Sequence, residues 1–248
     1  MNLLDEFKKG SKRAIGRLIS EVENKTEIGL QIMKQLGDLP EKSVVVGITG
    51  PPGAGKSTLI YQLTKKMISQ GSTVGIIAVD PSSPLSGGAL LGDRIRMSEL
   101  SGENNVFIRS MASRGSLGGI SEAVYGAVEV LKHCKMDYIL IETVGVGQSE
   151  VEIRNLADFV IFVTVPGLGD DIQAEKAGVL EIADLIVLNK ADREDADHAL
   201  RYLENSVRLS EDYDSESYVS VLSAVAVKDQ GIDEILNKIK EGKHFNET

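Results

Sequence analysis

The sequence holds a single cysteine, Cys134, so no disulfide can form within the chain, and a reducing compartment, the cytoplasm, is the natural expectation. Long apolar runs are missing as well: nothing approaches the roughly eighteen consecutive apolar residues of a spanning helix. The opening stretch MNLLDEFKKGSKR lacks the charged-then-apolar order of an export signal. A soluble chain with no membrane association is expected. Positive charge is in deficit, with 27 lysines and arginines against 37 acidic residues and a formal net charge of −10. Non-specific nucleic-acid binding depends on clustered cations that release counterions, so this balance argues against nucleic acid as a partner. What remains is ordinary globular material. The 248 residues, 42% hydrophobic and 26% charged, suffice for one large α/β domain with a short appendage.

Residues 11–36 carry Ala14, Ile15, Leu18, Ile19, Val22, Ile28, Ile32 and Leu36 at mostly helical spacing before Pro40 interrupts. The spacing predicts one or two amphipathic helices. A helical segment over 1–40, packed on a main domain over 41–248, is favoured over a helix offered to a partner, since such stripes usually face a core. From residue 43 the pattern changes to seven short apolar runs: VVVGIT, TVGIIAVD, NVFIRS, DYILIET, DFVIFVTV, ADLIVLN and SYVSVLS. They are continuous rather than alternating, which implies burial on both faces. The expected fold is a three-layer α/β P-loop architecture around a mostly parallel seven-stranded sheet. Helices are predicted near 56–70, 119–134, 172–182, 195–208 and 231–241. The acidic stretch EDYDSES at 211–217 reads as a solvated loop.

After the first strand comes GPPGAGKST, which fits G-x-x-x-x-G-K-[ST]. A strand precedes it and a helical pattern follows. Gly50, Gly53, Ala54 and Gly55 can then bring backbone N–H groups around a β-phosphate while the new helix points its N-terminus at the anion. Lys56 would neutralise the β- and γ-oxygens, Ser57 would ligate Mg²⁺, and Thr58 would reach the α-phosphate. Mg²⁺ favours hard oxygen ligands, and carboxylates at neighbouring strand ends supply them. Asp80 ends one strand, Asp93 follows the loop PSSPLSGGALLG, and Glu142 ends another strand. The loops SPLSGG (83–88) and VGVGQS (144–149) have the glycines of segments that rearrange with nucleotide state. Gly145 is a candidate N–H donor to a γ-phosphate. Gln148 is read either as a residue that orients water or as a surface group.

The run ADLIVLNKAD puts Asn189, Lys190 and Asp192 in an N-K-x-D pattern at a strand end. A carboxylate there accepts from N1–H and the 2-amine of guanine, whereas adenine would leave it unpaired. Lys190 would lay its stem over the ring, and Asn189 would brace the neighbouring loop. With Ser223-Ala224 closing a later strand, the order of motifs points to GTP and GDP rather than ATP.

Taken in order, GPPGAGKST, VDPSSPLSGGALLGDRIRM, VFIRSMASRGSLGG, IETVGVGQSE, PGLGDDIQAEKAG and LNKAD closely resemble the methylmalonyl-CoA mutase-associated GTPases, P-loop GTPases of the SIMIBI class. Members have also been described as lysine-arginine-ornithine transport ATPases or kinases. The resemblance covers roughly residues 11–241. It implies a GTP-hydrolysing chaperone that binds a coenzyme B12-dependent acyl-CoA mutase, gates adenosylcobalamin loading and protects the mutase. By motif, Lys56 and Ser57 carry over as phosphate and magnesium residues. Asp80, Asp93 and Glu142 carry over as the acids around the metal, with Asn189, Lys190 and Asp192 as guanine readers. Asp170, Asp171, Gln173 and Lys176 fall in the family's third switch, where they would meet the partner. Well-known members continue into a C-terminal dimerisation extension, whereas this sequence stops shortly after Gly242. Monomer and homodimer both stay open. Two rivals frame the expectation. A nickel-insertion GTPase needs a thiol and imidazole site, and only His133, His198, His244 and Cys134 are available, without C-x-x-C. A kinase or ATPase acting on a transport protein needs an acceptor pocket and a positioned base, and no feature identifies either.

Overall fold

Alternation along β1 (Val44–Thr49) sends Val44, Val46 and Ile48 into one apolar layer and Val45 into another, and all six residues are buried. Such a strand can only lie at the centre of a sheet covered on both faces. The computed structural model describes residues 2–40, 43–80, 98–112, 122–143, 149–167, 182–210 and 219–245. Within them run β2 (Val74–Asp80), β3 (Val106–Ala112), β4 (Tyr138–Glu142), β5 (Phe159–Thr164), β6 (Leu185–Asn189) and β7 (Ser220–Ala224). The seven strands form one sheet in the order β3-β2-β4-β1-β5-β6-β7. Every pairing is parallel, so every strand ends on the same edge. The chain leaves β1 for β2 and β3 on one side, returns with β4 beside β1, and crosses to the other side with β5. Ligand sites in open α/β sheets form at the carboxyl edge where the chain reverses direction in this way.

One face is covered by α4 (Lys56–Ser69) and α9 (Ile232–Phe245), whose Leu59, Ile60, Leu63, Ile235, Leu236 and Ile239 meet the even-numbered side of β1. The other carries α6 (Glu122–His133) and α7 (Ser149–Leu156). There Val124, Val128, Leu131 and Ile153 join Val45, Ile77, Ile139 and Val160. Beyond β6, the helix α8 (Ala196–Ser210) packs Leu203 and Val207 on Phe162, Ile186 and Leu188.

The N-terminal stripe folds into α1 (Leu3–Lys8), α2 (Lys12–Glu23) and α3 (Glu27–Leu36). Ser11 and Thr26 cap the last two, each accepting from the amide three residues on, Ala14 and Gly29. Gly37, at φ +74°, ends α3. Ala14, Ile15, Leu18 and Ile19 all enter the apolar layer of α6. Contact is close: a Cβ on Gly126 of α6 would lie 2.5 Å from Val22 Cγ1 of α2. Arg109 of β3 adds a polar tie, donating to Ser20 Oγ at 3.0 Å and Glu23 Oε2 at 3.1 Å.

Three α-helices escape the sequence pattern: α1, α7 and the single turn α5 (Ser98–Ser101). Each is too short for a helical period to register. The helix expected at 172–182 lies outside the described residues apart from its last position, as does the acidic loop at 211–217.

Gly47 of β1 fixes how closely α7 approaches the sheet. A Cβ there would fall 2.3 Å from Ile153 Cγ1 and 3.2 Å from Ala157 Cβ. Gly47→Ala is therefore expected to push α7 outward and lower the unfolding free energy by about 1–3 kcal/mol. A urea titration should show a lower midpoint at unchanged slope; a wild-type midpoint would mean that α7 shifts without strain.

Candidate functional site: a phosphate loop joined to a base turn

Between β1 and α4 the chain makes a loop that only glycines can hold at its ends. Gly50 sits at φ +132°, and a Cβ on it would lie 2.0 Å from the Val163 carbonyl oxygen of β5. Gly55, at φ +95°, is the N-cap of α4, and its Cβ would meet Asn189 Nδ2 at 2.3 Å. Both backbone conformation and space demand glycine. Gly53 is in the left-handed region too, at φ +78°, with open space beside it. Ala54, fully buried, donates its N–H to the Pro51 carbonyl at 3.2 Å and so closes the loop.

Lys56 opens α4 and folds back over this loop, donating from Nζ to the carbonyls of Gly50 at 2.8 Å and Pro51 at 3.2 Å. Its ammonium is held at the loop's rim with only 7% of the residue exposed. Ser57 donates to Glu142 Oε1 at 2.7 Å across the gap between α4 and the end of β4. Hydroxyl and carboxylate are both buried. Behind them Thr143 donates to Thr49 Oγ1 at 2.8 Å, tying the ends of β4 and β1 together. Thr58 stands half-buried on the first turn of α4. Asp80 closes β2, two residues past the Ala78 that pairs with Glu142, so its backbone stands on the edge that carries Glu142. The side chain of Asp80 and the whole of Asp93, Gly145, Gln148, Asp170, Asp171, Gln173 and Lys176 lie outside the described residues.

The base motif lies at the far end of the same edge. Asn189 closes β6 and is 3% exposed. Its Nδ2 donates to the Ala54 carbonyl at 2.8 Å, and its Oδ1 accepts from the Ala226 amide at 3.1 Å. Lys190, at φ +57°, turns the chain and sends Nζ to the Gly53 carbonyl at 2.8 Å, so its methylene stem spans from base turn to phosphate loop. Asp192 projects beyond, half-exposed, with Lys228 Nζ 2.9 Å from its Oδ2. That hydrogen bond is the main reason its carboxyl sits below the usual carboxylate range. Such a group adds stability above its unfolded-state pKa and loses it as pH falls through the depressed folded value.

Ser223 and Ala224 end β7 beside Asn189, and the Ala224 carbonyl accepts from Ala191 at 3.0 Å. The amide that Asn189 holds belongs to Ala226, two residues further on, in the 3₁₀ turn Ala226–Lys228. Sequence reasoning missed this turn and its Lys228 because AVAVKDQG matches no motif. The one available cue was Gly231, whose φ of +78° brings a hypothetical Cβ within 2.4 Å of the Ser223 carbonyl.

Ser57 and Glu142 together could hold a hard divalent cation. Among the described residues no group of three His, Cys, Asp or Glu is placed to hold a metal ion. Burial pushes the Cys134 thiol up to about 12, which leaves it protonated and a poor ligand. Among the described residues no helix is long and apolar enough to cross a membrane.

Phosphate loop and base turn, joined through one asparagine at the carboxyl edge of a parallel sheet, make this chain a P-loop GTPase. It belongs to the family described as methylmalonyl-CoA mutase-associated GTPase MeaB, whose model matches residues 13–248. A Pyrococcus abyssi protein that carries a GTPase name is 50% identical over 249 aligned residues, 99% of this chain and 76% of that one. A mouse protein, methylmalonic aciduria type A homolog, mitochondrial, is 46% identical over 147 residues, 59% of this chain and 35% of its own length. The crystal structure of an LAO/AO transport system kinase superposes with a TM-score of 0.78 at 26% identity, covering 98% of this chain and 74% of that one. HypB from Helicobacter pylori in complex with nickel shares the fold alone, at 15% identity and a TM-score of 0.63, over 94% of this chain and 96% of that one.

Lys228→Met should raise the pH at which Asp192 titrates, back toward the ordinary carboxylate range, in a carbon-detected NMR titration. A midpoint that stays where it is would mean that Lys228 does not hold the carboxylate.

Proposed function

We propose that the protein is a GTP-driven chaperone of a coenzyme B12-dependent acyl-CoA mutase, methylmalonyl-CoA mutase foremost, that gates adenosylcobalamin loading and protects the mutase. The family match supports the partner, since the family's description pairs these GTPases with that mutase. The observation that carries the chemistry is the double hydrogen bond of Asn189, which ties the loop after β1 to the turn after β7, the two places this reading gives to the triphosphate and the purine. Backbone N–H groups of Gly50, Gly53 and Gly55 and the Lys56 ammonium surround the β- and γ-phosphates, and Thr58 reaches the α-phosphate. The buried Ser57–Glu142 pair has the hard-oxygen character that Mg²⁺ takes, and Asp80 and Asp93 complete the set. When bound, the ion offsets charge on the phosphate oxygens. Asp192 accepts from N1–H and the 2-amine of guanine while the Lys190 stem covers the ring.

In this reading Gly145 senses the γ-phosphate, Gln148 orients the attacking water, and Asp170, Asp171, Gln173 and Lys176 meet the mutase. A cytoplasmic site of action suits the lone, half-buried Cys134.

Release of labelled phosphate from GTP is expected to be slow with the protein alone and faster once methylmalonyl-CoA mutase is added. Equal rates would remove the chaperone role, and label on another protein instead of in free phosphate would make the chain a kinase. In calorimetry, Lys56→Ala should abolish productive nucleotide binding. Asp192→Asn should weaken the preference for guanine, and full retention of that preference would sink the base-site assignment.

A further inference from the structure

The turn after β7 is gripped from two directions. On one side the Ala226 amide donates to Asn189; on the other its carbonyl accepts from Gln62 Nε2 at 2.9 Å. Both polar groups of one residue are therefore held by side chains from different elements, β6 and α4. Four residues past Gln62, on the same face of α4, Lys66 reaches Asp229 Oδ2 at 3.3 Å and Asp233 Oδ2 at 2.8 Å. Those two acids flank the exit of the turn and the first turn of α9. Val225 and Gln230 exchange hydrogen bonds at 3.1 and 3.3 Å, which close the segment between them into one turn unit. That unit carries Lys228, and Lys228 touches Asp192.

α4 is also the helix whose first turn holds Lys56 and Ser57. Gln62 stands about 9 Å along its axis from Lys56, and Lys66 about 15 Å. The phosphate helix thus reaches sideways to hold the base-side turn, in parallel with the link through Asn189. We propose that Gln62, supported by Lys66, is a positioning residue for guanine recognition, setting how far the Ala226–Lys228 turn and Asp192 stand from the phosphate loop. The proposal rests on the base-site reading above. Gln62 is outside every motif that identifies a GTPase, and its role follows from its donor: a carboxylate of the same shape could not serve the carbonyl.

The test uses Gln62→Glu, nearly isosteric but without the donor, with Lys66→Met as a second variant. Calorimetric affinity for GDP and competitive inhibition by pyrophosphate, which engages the phosphate loop alone, are measured side by side. Loss of a hydrogen bond of this kind corresponds to about two- to tenfold weaker GDP binding. The expected result is that loss for GDP with pyrophosphate inhibition unchanged. Wild-type GDP affinity in both variants would overturn the proposal, and so would equal weakening of GDP and pyrophosphate, which is what general loosening of α4 would give. Asp192→Asn separates the two levels. If it relaxes guanine preference while both variants bind GDP like wild type, only the role of Gln62 falls. If it leaves that preference intact, the base-site reading falls and takes this one with it.

Discussion

A single buried amide, that of Asn189, holds the two halves of the site together. It sits at the end of β6, two strands from β1, yet satisfies a carbonyl in the loop after β1 and an amide in the turn after β7. Removing it would leave two buried backbone groups without partners, each costing about 1–3 kcal/mol. Its presence also explains Gly55. The absence of a side chain there is required by the asparagine that presses on the loop from behind, as much as by any phosphate in front of it. The glycine pattern of the loop therefore records a contact with a residue more than a hundred positions away.

Around that link the polar groups are distributed unevenly. Lys56 and Ser57 are buried, and each donates to an oxygen acceptor: loop carbonyls for the ammonium, Glu142 for the hydroxyl. The purine side is more open, with Asp192 and Lys228 both substantially exposed. A pair so placed is screened by water and salt and contributes little to folding.

The parts of this architecture readable in the sequence are those set by local physics. Continuous apolar runs located all seven strands to within a few residues; the central strands, buried on both faces, leave no alternation to misread, whereas the edge strands β3 and β7 are half-buried or exposed over much of their length. GPPGAGKST and LNKAD were legible because a tight turn and a strand end constrain neighbours in the chain. Strand order was not, since pairing of β1 with both β4 and β5 is decided by crossovers that no local pattern encodes. The base turn shows the same limit at finer scale. Ser223-Ala224 marked the right strand end, but the held amide is Ala226, whose role depends on where Asn189 arrives from another strand. Gln62 was invisible for a like reason: within a helix it reads as one more polar surface position. Ser57 and Glu142 could be placed near one another from sequence because one opens the helix after the loop and the other ends a strand on the same edge.

The seat of α2 on α6 has a consequence for how the chain is made. The apolar stripe of α2 leaves the ribosome roughly a hundred residues before its partner α6, and translation at about 5–20 residues per second leaves a gap of roughly 5–20 seconds. Throughout that interval Ile15, Leu18 and Ile19 lack the α6 side of their apolar layer. The speed at which the six strands and helices between α2 and α6 are synthesised therefore sets how long that stripe stays uncovered.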